Sequence, residues 1–155
     1  MSELDQLYQQ VILDHARERH GEGALPDADG ESFQVNPTCG DQATVRVRLA
    51  DGPDGPVVQD VAWEGHGCSI SQASLSVMHD MVAGRPLSQV QALETEFQDM
   101  MHSRGTFPDE RLDKLEDAAA FLGASRLSAR VKCALLGWMG LKGALAEAGA
   151  IKEDM

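Results

Sequence analysis

Apolar side chains near the start of the chain recur at helical spacing. Within residues 3–19 one stripe carries Leu4, Leu7, Tyr8, Val11, Ile12 and His15. This spacing predicts an amphipathic helix, and Ser2 with Asp5 has the spacing of a capping pair. Residues 20–34 are rich in glycine and acidic side chains and poor in apolar ones, so we expect a mobile connection there.

The next part of the chain has the period-two alternation of strands. Residues 44–49 place Val45, Val47 and Leu49 on one face, with arginines between them. The segment 51–56 is rich in glycine and proline, and residues 57–63 favour a second strand. A half-buried antiparallel hairpin is therefore expected.

Helical patterns dominate the remainder. Four helices are predicted: one capped by Ser69 or Ser71 and stopped at Gly84–Pro86, one opened by a Ser88–Gln91 capping box, one from Pro108 to Gly123, and one from about Ser128 to Ala148. Strands followed by helices predict an α+β fold, in which helices cover one face of a small antiparallel sheet. The length fits one domain spanning residues 1–155.

Composition narrows the classes of function. The chain has 25 acidic and 13 basic residues, a formal net charge of -12, and only 5% aromatic residues. Such a surface repels phosphate backbones and anionic membranes and offers few rings for stacking on bases, so we expect neither a nucleic-acid nor a membrane partner. The sequence contains no apolar run of about 18 residues and its first residues are polar, so we expect a cytoplasmic protein.

Three cysteines carry the candidate chemistry. Cys39, Cys68 and Cys133 are odd in number and widely separated, which argues against both a disulfide framework and a zinc finger. We expect each at the edge of an element, where helix N-termini, and Arg130 and Lys132 beside Cys133, favour the thiolate. With the carboxylate of Asp41, three thiolates would form a tetrahedral shell that zinc accepts.

Other interpretations of these cysteines stay open at this point. Widely separated cysteines are ordinarily small buried hydrophobes, and a zinc site can serve only to hold a fold together. His66 lies two residues before Cys68, where it could orient a metal ligand, substitute for one, or simply be solvated. Motifs for nucleotide hydrolysis, esterase and metalloprotease chemistry are absent from the sequence.

Three segments together resemble a known family. They are Asn-Pro-Thr-Cys-Gly-Asp at 36–41, Gly-His-Gly-Cys-Ser-Ile-Ser-Gln-Ala-Ser at 65–74, and Arg-Val-Lys-Cys-Ala-Leu-Leu-Gly-Trp at 130–138. In this order they resemble the signature segments of the SufU branch of the IscU/NifU N-terminal family. The resemblance covers nearly the whole chain.

The resemblance implies a small α+β protein of iron-sulfur cluster assembly. It implies a zinc-dependent carrier that accepts persulfide sulfur from a SufS-type cysteine desulfurase, and not a stand-alone enzyme. By motif match the metal ligands would be Cys39, Asp41, Cys68 and Cys133. Cys39 would accept the sulfur, and Arg130 would position the reacting thiolate. The alternative is a scaffold that binds iron or a transient iron-sulfur cluster on the same cysteines, with other assembly components as further partners.

Two departures distinguish this chain from the classical IscU branch. Lys132 stands where that branch has a histidine directly before the third cysteine, and residues 127–132 replace its Leu-Pro-Pro-Val-Lys chaperone-binding segment. Both count against direct IscU-type scaffolding and a dedicated chaperone. The insertion-like stretch from about Met101 to Phe121 also resembles the SufU branch, in which zinc is the usual resident metal.

Overall fold

The chain folds into one four-stranded antiparallel sheet with helices packed against it, in a computed structural model that describes residues 2–151. The strands, in sheet order, are β1 Gly30–Asn36, β2 Asp41–Gly52, β3 Gly55–His66 and β4 Arg85–Pro86. The helices are α1 Glu3–Glu18, α2 Ser69–Val82, α3 Leu87–Met101, α4 Asp109–Asp113 and α5 Ser128–Glu147, with a 3₁₀ helix at Glu116–Arg126. The expected α+β class is confirmed. None of the helices within residues 2–151 combines the length and apolar character needed to cross a membrane.

The register of the sheet separates a helix-covered inner face from an exposed outer face. Val45 and Val47 are fully buried on the inner face of β2, and Ser32 of β1 lies beside Val45. Phe33 points to the other side and is 60% exposed. Leu49 was expected inward but is only partly buried, because a bulge between Arg48 and Leu49 interrupts the alternation.

The segment between α1 and β2 is more ordered than its composition predicts. Its second part is β1, which pairs with β2 from Gly30 to Asn36. Its first part runs along β3, where Gly23 N–H donates to the Trp63 carbonyl at 2.9 Å and Trp63 N–H donates to the Gly21 carbonyl at 3.1 Å. The prediction of a mobile connection over 20–34 is wrong, because backbone pairing supplies the order that apolar side chains do not.

Helix starts differ from the predicted caps in two places. Ser2 and Asp5 do form the expected capping box of α1. In α2, however, the N-cap is Cys68 and not a serine, and α3 begins at Leu87 after Pro86 without a side-chain cap. The predicted Ser88–Gln91 capping box is therefore wrong, since Ser88 already lies inside the helix and Pro86 is the N-cap.

The predicted helix from Pro108 to Gly123 is divided. The α-helical part ends at Asp113, and the chain continues as the 3₁₀ helix, which runs through Gly123 to Arg126. Glu116 adopts a positive φ of 49° at the transition, a conformation that costs a non-glycine residue free energy and breaks the helical path. Buried residues on both sides of this break, including Leu115 and Phe121, still pack into the hydrophobic core.

Glycines let α5 approach the sheet and α2 closely. A Cβ placed on Gly137 would lie 2.5 Å from Leu75 Cδ2, and one on Gly140 would lie 2.7 Å from Val45 Cγ2. The backbone of α5 is equally close to β1, since a Cβ on Gly30 would lie 2.1 Å from the Ala144 carbonyl oxygen. This packing fixes the position of the helix that carries Cys133.

We predict that Gly30→Ala destabilises the fold by roughly 1–3 kcal/mol, because the added methyl meets rigid backbone and must push α5 away. Gly123→Ala is the matched control, since no atom lies within 4 Å of a Cβ at that position. The control should be neutral or slightly stabilising. Urea unfolding of both variants measures the difference, and equal stabilities would contradict this account of the α5 packing.

Candidate metal centre

Cys39 lies in the turn that joins β1 to β2. Asn36 shapes this turn: its side-chain oxygen accepts the Thr38 N–H at 3.2 Å, and its carbonyl accepts the Gly40 N–H at 2.8 Å. Gly40 has a φ of 75°, which glycine adopts without strain. The result is an exposed thiol at the tip of a turn closed by hydrogen bonds.

Asp41 is the first residue of β2 and is only 1% exposed. Its Oδ1 accepts the backbone N–H of Cys68 at 2.8 Å, and its Oδ2 accepts the Cys39 thiol at 3.2 Å. Burial alone would raise the pKa of this carboxyl, but hydrogen bonds from Cys133, from the Cys68 N–H and from the other two thiols hold the pKa below its usual value. A buried carboxylate therefore forms the centre of the thiol cluster.

Cys68 is the N-cap residue of α2. Its backbone is extended, with φ -72° and ψ 167°, and its exposed side chain makes no cap hydrogen bond. The Sγ lies 3.7 Å from Asp41 Oδ2 and 4.0 Å from Ser71 Oγ. This placement at an element edge agrees with the sequence-based expectation.

Cys133 departs from that expectation. It lies in the second turn of α5 and is 6% exposed. Burial first, then hydrogen bonding to Asp41 and the neighbouring thiols, raises the pKa of its thiol. The prediction that the helix start and adjacent basic residues favour its thiolate is therefore wrong for the metal-free chain, because burial outweighs both.

Three of the four residues named from the sequence form one tight group, and Cys68 lies at its side, with its Sγ 3.7 Å from Asp41 Oδ2. Donor atoms of Cys39, Asp41 and Cys133 all fall within 4.8 Å of one another, and the Sγ atoms of Cys39 and Cys133 are 3.4 Å apart. Sulfur ligands at 2.3 Å from a tetrahedral zinc ion lie about 3.8 Å from each other, so the separation of the Cys39 and Cys133 sulfurs is close to that of two zinc ligands. Cys68 would have to move toward the other donors to share the ion. Such an ion would also lower the pKa of the Cys133 thiol, because a thiol that coordinates a metal is deprotonated.

Arg130 does not touch the thiols in this structure. It is exposed in the first turn of α5 and lines a groove that also includes Ile12 of α1 and Arg126 of the 3₁₀ helix. Within residues 2–151, no hydrogen bond or ion pair of its guanidinium is found. The neighbouring Lys132 instead lines a cavity of about 190 Å³ together with Cys39.

His66 is exposed at the end of β3, opposite Gln42 of β2. It does not belong to the cluster formed by Cys39, Asp41 and Cys133. Sequence reasoning missed a more specific feature of the neighbouring turn, which is the close packing of Gly67 on the carboxylate. A Cβ on Gly67 would lie 2.2 Å from Asp41 Oδ1, so the glycine before Cys68 leaves room for the carboxylate.

Comparison with known proteins assigns this chain to a family. Residues 7–134 match the model of the NifU-like N terminal domain. The chain is 41% identical over 151 residues to the zinc-dependent sulfurtransferase SufU of Bacillus subtilis, covering 97% of this chain and 94% of that protein. It is 37% identical over 139 residues to the iron-sulfur cluster assembly scaffold protein IscU of Thermotoga maritima, covering 90% and 92%.

Solved structures agree with the sequence relatives. A NifU-like protein (N-terminal) from Brucella abortus superposes with a TM-score of 0.79 at 27% identity, covering 96% of this chain and 98% of that one. A putative iron-sulfur cluster assembly scaffold protein for the SUF system from Fervidobacterium islandicum gives 0.68 at 30% identity, covering 90% and 97%. This chain belongs to the NifU-like N-terminal domain family, and the resemblance seen in its three cysteine segments is confirmed.

We predict that Asp41→Asn destabilises the metal-free chain at neutral pH by about 1–3 kcal/mol, because the amide loses charge-assisted hydrogen bonds. Since the folded pKa of Asp41 is lowered, its contribution is present above the unfolded pKa, near 4, and is lost as the pH falls through the folded value. The deficit of the variant should therefore shrink in acid.

Urea unfolding at a series of pH values measures this deficit, with Asp54→Asn in the exposed turn between β2 and β3 as the matched control. A deficit of the Asp41 variant that is independent of pH would contradict the assignment of a stabilising carboxylate.

Proposed function

We propose that this chain is a zinc-dependent sulfur acceptor of iron-sulfur cluster assembly that takes persulfide sulfur from a cysteine desulfurase. The observation that carries the proposal is an asymmetry within the thiol cluster. Cys39 and Cys68 are exposed, whereas Cys133 and Asp41 are buried. Of the two exposed thiols, only that of Cys39 lies on a turn, since Cys68 is the N-cap of α2. Cys39 can therefore meet a partner while the other three residues stay anchored to helices and a strand.

The residues present fit a resident zinc ion. Cys39, Asp41, Cys68 and Cys133 would hold it, since three thiolates and one carboxylate are donors that zinc accepts. When bound, zinc keeps its thiolate ligands deprotonated and limits their oxidation. Four protein ligands leave no open position for water, which argues against a zinc hydrolase.

The transfer itself is a thiolate exchange at sulfur. The thiolate of Cys39 attacks the outer sulfur of the persulfide on the desulfurase. A bond forms between that sulfur and Cys39 Sγ, the bond to the enzyme's cysteine breaks, and the electron pair leaves with the enzyme's cysteine as a thiolate. The products are a Cys39 persulfide and a free enzyme thiolate, so no external oxidant or reductant is required.

Arg130 supports this step as a positioning residue. Its exposed guanidinium lies in the groove between α1 and the 3₁₀ helix, on the same first part of α5 that leads to Cys133. A fixed positive charge there would attract the anionic persulfide of an approaching partner. We assign the partner to the SufS type from the resemblance of the three cysteine segments.

A cluster scaffold is the second candidate. The relative from Thermotoga maritima is named an iron-sulfur cluster assembly scaffold protein. Iron and sulfide would then be cargo on the same donors. Lys132 in place of a histidine argues for the sulfur acceptor, and acid-labile sulfide with iron in the purified protein would favour the scaffold.

A sulfur acceptor should speed the turnover of the desulfurase by removing its persulfide sulfur. We predict that Cys39→Ser abolishes this stimulation, because serine has no thiolate to accept the outer sulfur of the persulfide. Alanine release from cysteine by the desulfurase measures this, with Ser71→Ala as the control that alters the surroundings of Cys68 but leaves all three thiols. Stimulation by the Cys39 variant equal to that of the parent would reject the proposed function.

We predict that Arg130→Ala lowers the rate of sulfur transfer about tenfold while the zinc content stays unchanged, consistent with loss of one steering charge. Arg126→Ala is the matched control, since Arg126 lines the same groove. Rapid-quench mass measurements of the sulfur adduct give the rates. An equal loss in both variants would assign the effect to the charge of the groove and not to Arg130.

A further inference from the structure

A second group of metal-ligating side chains lies at the opposite end of α2 from the thiols. His15 is in the last turn of α1, His20 follows the end of that helix, and Asp80 is near the end of α2. One ligand atom from each of the three lies within 4.8 Å of the others. At 1.5 Å per residue, Asp80 lies about 18 Å along the helix axis from Cys68, so the two groups are separate.

His15 is held in place from two sides. It is 5% exposed, its Nδ1 lies 2.7 Å from Ser76 Oγ, and its Nε2 lies 3.0 Å from Asp117 Oδ2. Histidines that ligate metals are ordinarily oriented by a hydrogen bond at the other ring nitrogen. Ser76 supplies such a bond, and Asp117 adds a carboxylate on the side of Nε2.

His20 and Asp80 complete the cluster from its open side. His20 Nδ1 lies 2.7 Å from Asp80 Oδ2, and the backbone N–H of His20 donates to the same Ser76 Oγ at 2.9 Å. The side chains of His20 and Asp80 are 37% and 42% exposed, so an ion from solvent can reach them. The rings of His15 and His20 meet edge to face, 4.9 Å apart.

The local field favours a cation. The C-terminal ends of α1 and α2 converge here, and each presents the negative end of its helix dipole. Three carboxylates add negative charge around the two imidazoles: Asp80 Oδ2 lies 2.7 Å from His20 Nδ1, Asp117 Oδ2 lies 3.0 Å from His15 Nε2, and Glu18 Oε1 lies 3.9 Å from His20 Nε2.

We propose that His15, His20 and Asp80 bind a divalent transition-metal ion at a site separate from the cysteines, with Asp117 as an adjoining carboxylate. Two imidazoles and a carboxylate suit ions such as Zn²⁺, Co²⁺ and Fe²⁺. The bound ion would join α1 to α2 and, through Asp117, to the 3₁₀ helix. This site goes beyond the proposed sulfur transfer, in which none of these residues takes part.

Cobalt(II) distinguishes the two sites. Thiolate-bound Co²⁺ has strong charge-transfer absorption in the near ultraviolet, whereas Co²⁺ bound only by nitrogen and oxygen lacks it. We expect the metal-free full chain, in equilibrium dialysis against Co²⁺, to bind about two ions, with the charge-transfer band reporting only the thiol site.

His20→Ala and Asp80→Asn should each reduce the bound cobalt to about one ion while the charge-transfer band keeps its intensity. Both altered residues are at least partly exposed, and circular dichroism checks that the variants fold. His102→Ala, which changes an exposed histidine outside the cluster, is the matched control and should retain both ions.

Two results would overturn the second site: a parent chain that binds only the thiol-ligated ion, or a second ion that persists in both variants. If the parent chain binds one cobalt ion without the charge-transfer band, and that ion is lost in the His20 and Asp80 variants, the cysteine site would instead be rejected. The two proposals therefore fail in distinguishable ways.

Discussion

The site depends on the hydrogen bonds that the buried carboxylate of Asp41 accepts. One oxygen accepts the N–H of Cys68 and so joins the start of β2 to the N-terminus of α2. The other lies within reach of the thiols of Cys39 and Cys68. Burying a charged carboxylate without partners would cost free energy of folding. The buried position of Asp41 therefore depends on the donors that surround it. The β1–β2 turn and the N-terminus of α2, which are distant in sequence, thereby meet at one carboxylate.

The packing of α5 supplies the remaining thiol. Gly137 and Gly140 allow this helix to lie directly against Leu75 of α2 and Val45 of β2. The helix therefore delivers Cys133 to a buried position 3.4 Å from Cys39 Sγ. Regular elements hold Asp41, Cys68 and Cys133, and the turn carrying Cys39 leaves that thiol open to a partner. The proposal of sulfur acceptance rests on that division between anchored and accessible groups.

Local pattern was sufficient to predict the hairpin, α1, α5 and the α+β class, because each rests on periodicity or capping within a short window. It failed where contacts distant in sequence decide, as in the pairing of residues 20–34 with β2 and β3, and it gave no sign of the break at Glu116. The residue types suggested that the thiols and Asp41 could share a metal ion, but only the resemblance of the three segments distinguished that grouping from buried, unrelated cysteines. The cluster of His15, His20 and Asp80 escaped notice, since helical spacing alone gives no sign that the ends of α1 and α2 meet.

The measurement that tests the central claim most directly is native mass spectrometry with peptide mapping, applied before and after incubation with a cysteine desulfurase and cysteine. The account predicts zinc bound through the cysteines and one added sulfur on the peptide that contains Cys39. Sulfur on Cys68 or Cys133 alone, or iron with sulfide in place of zinc, would contradict it.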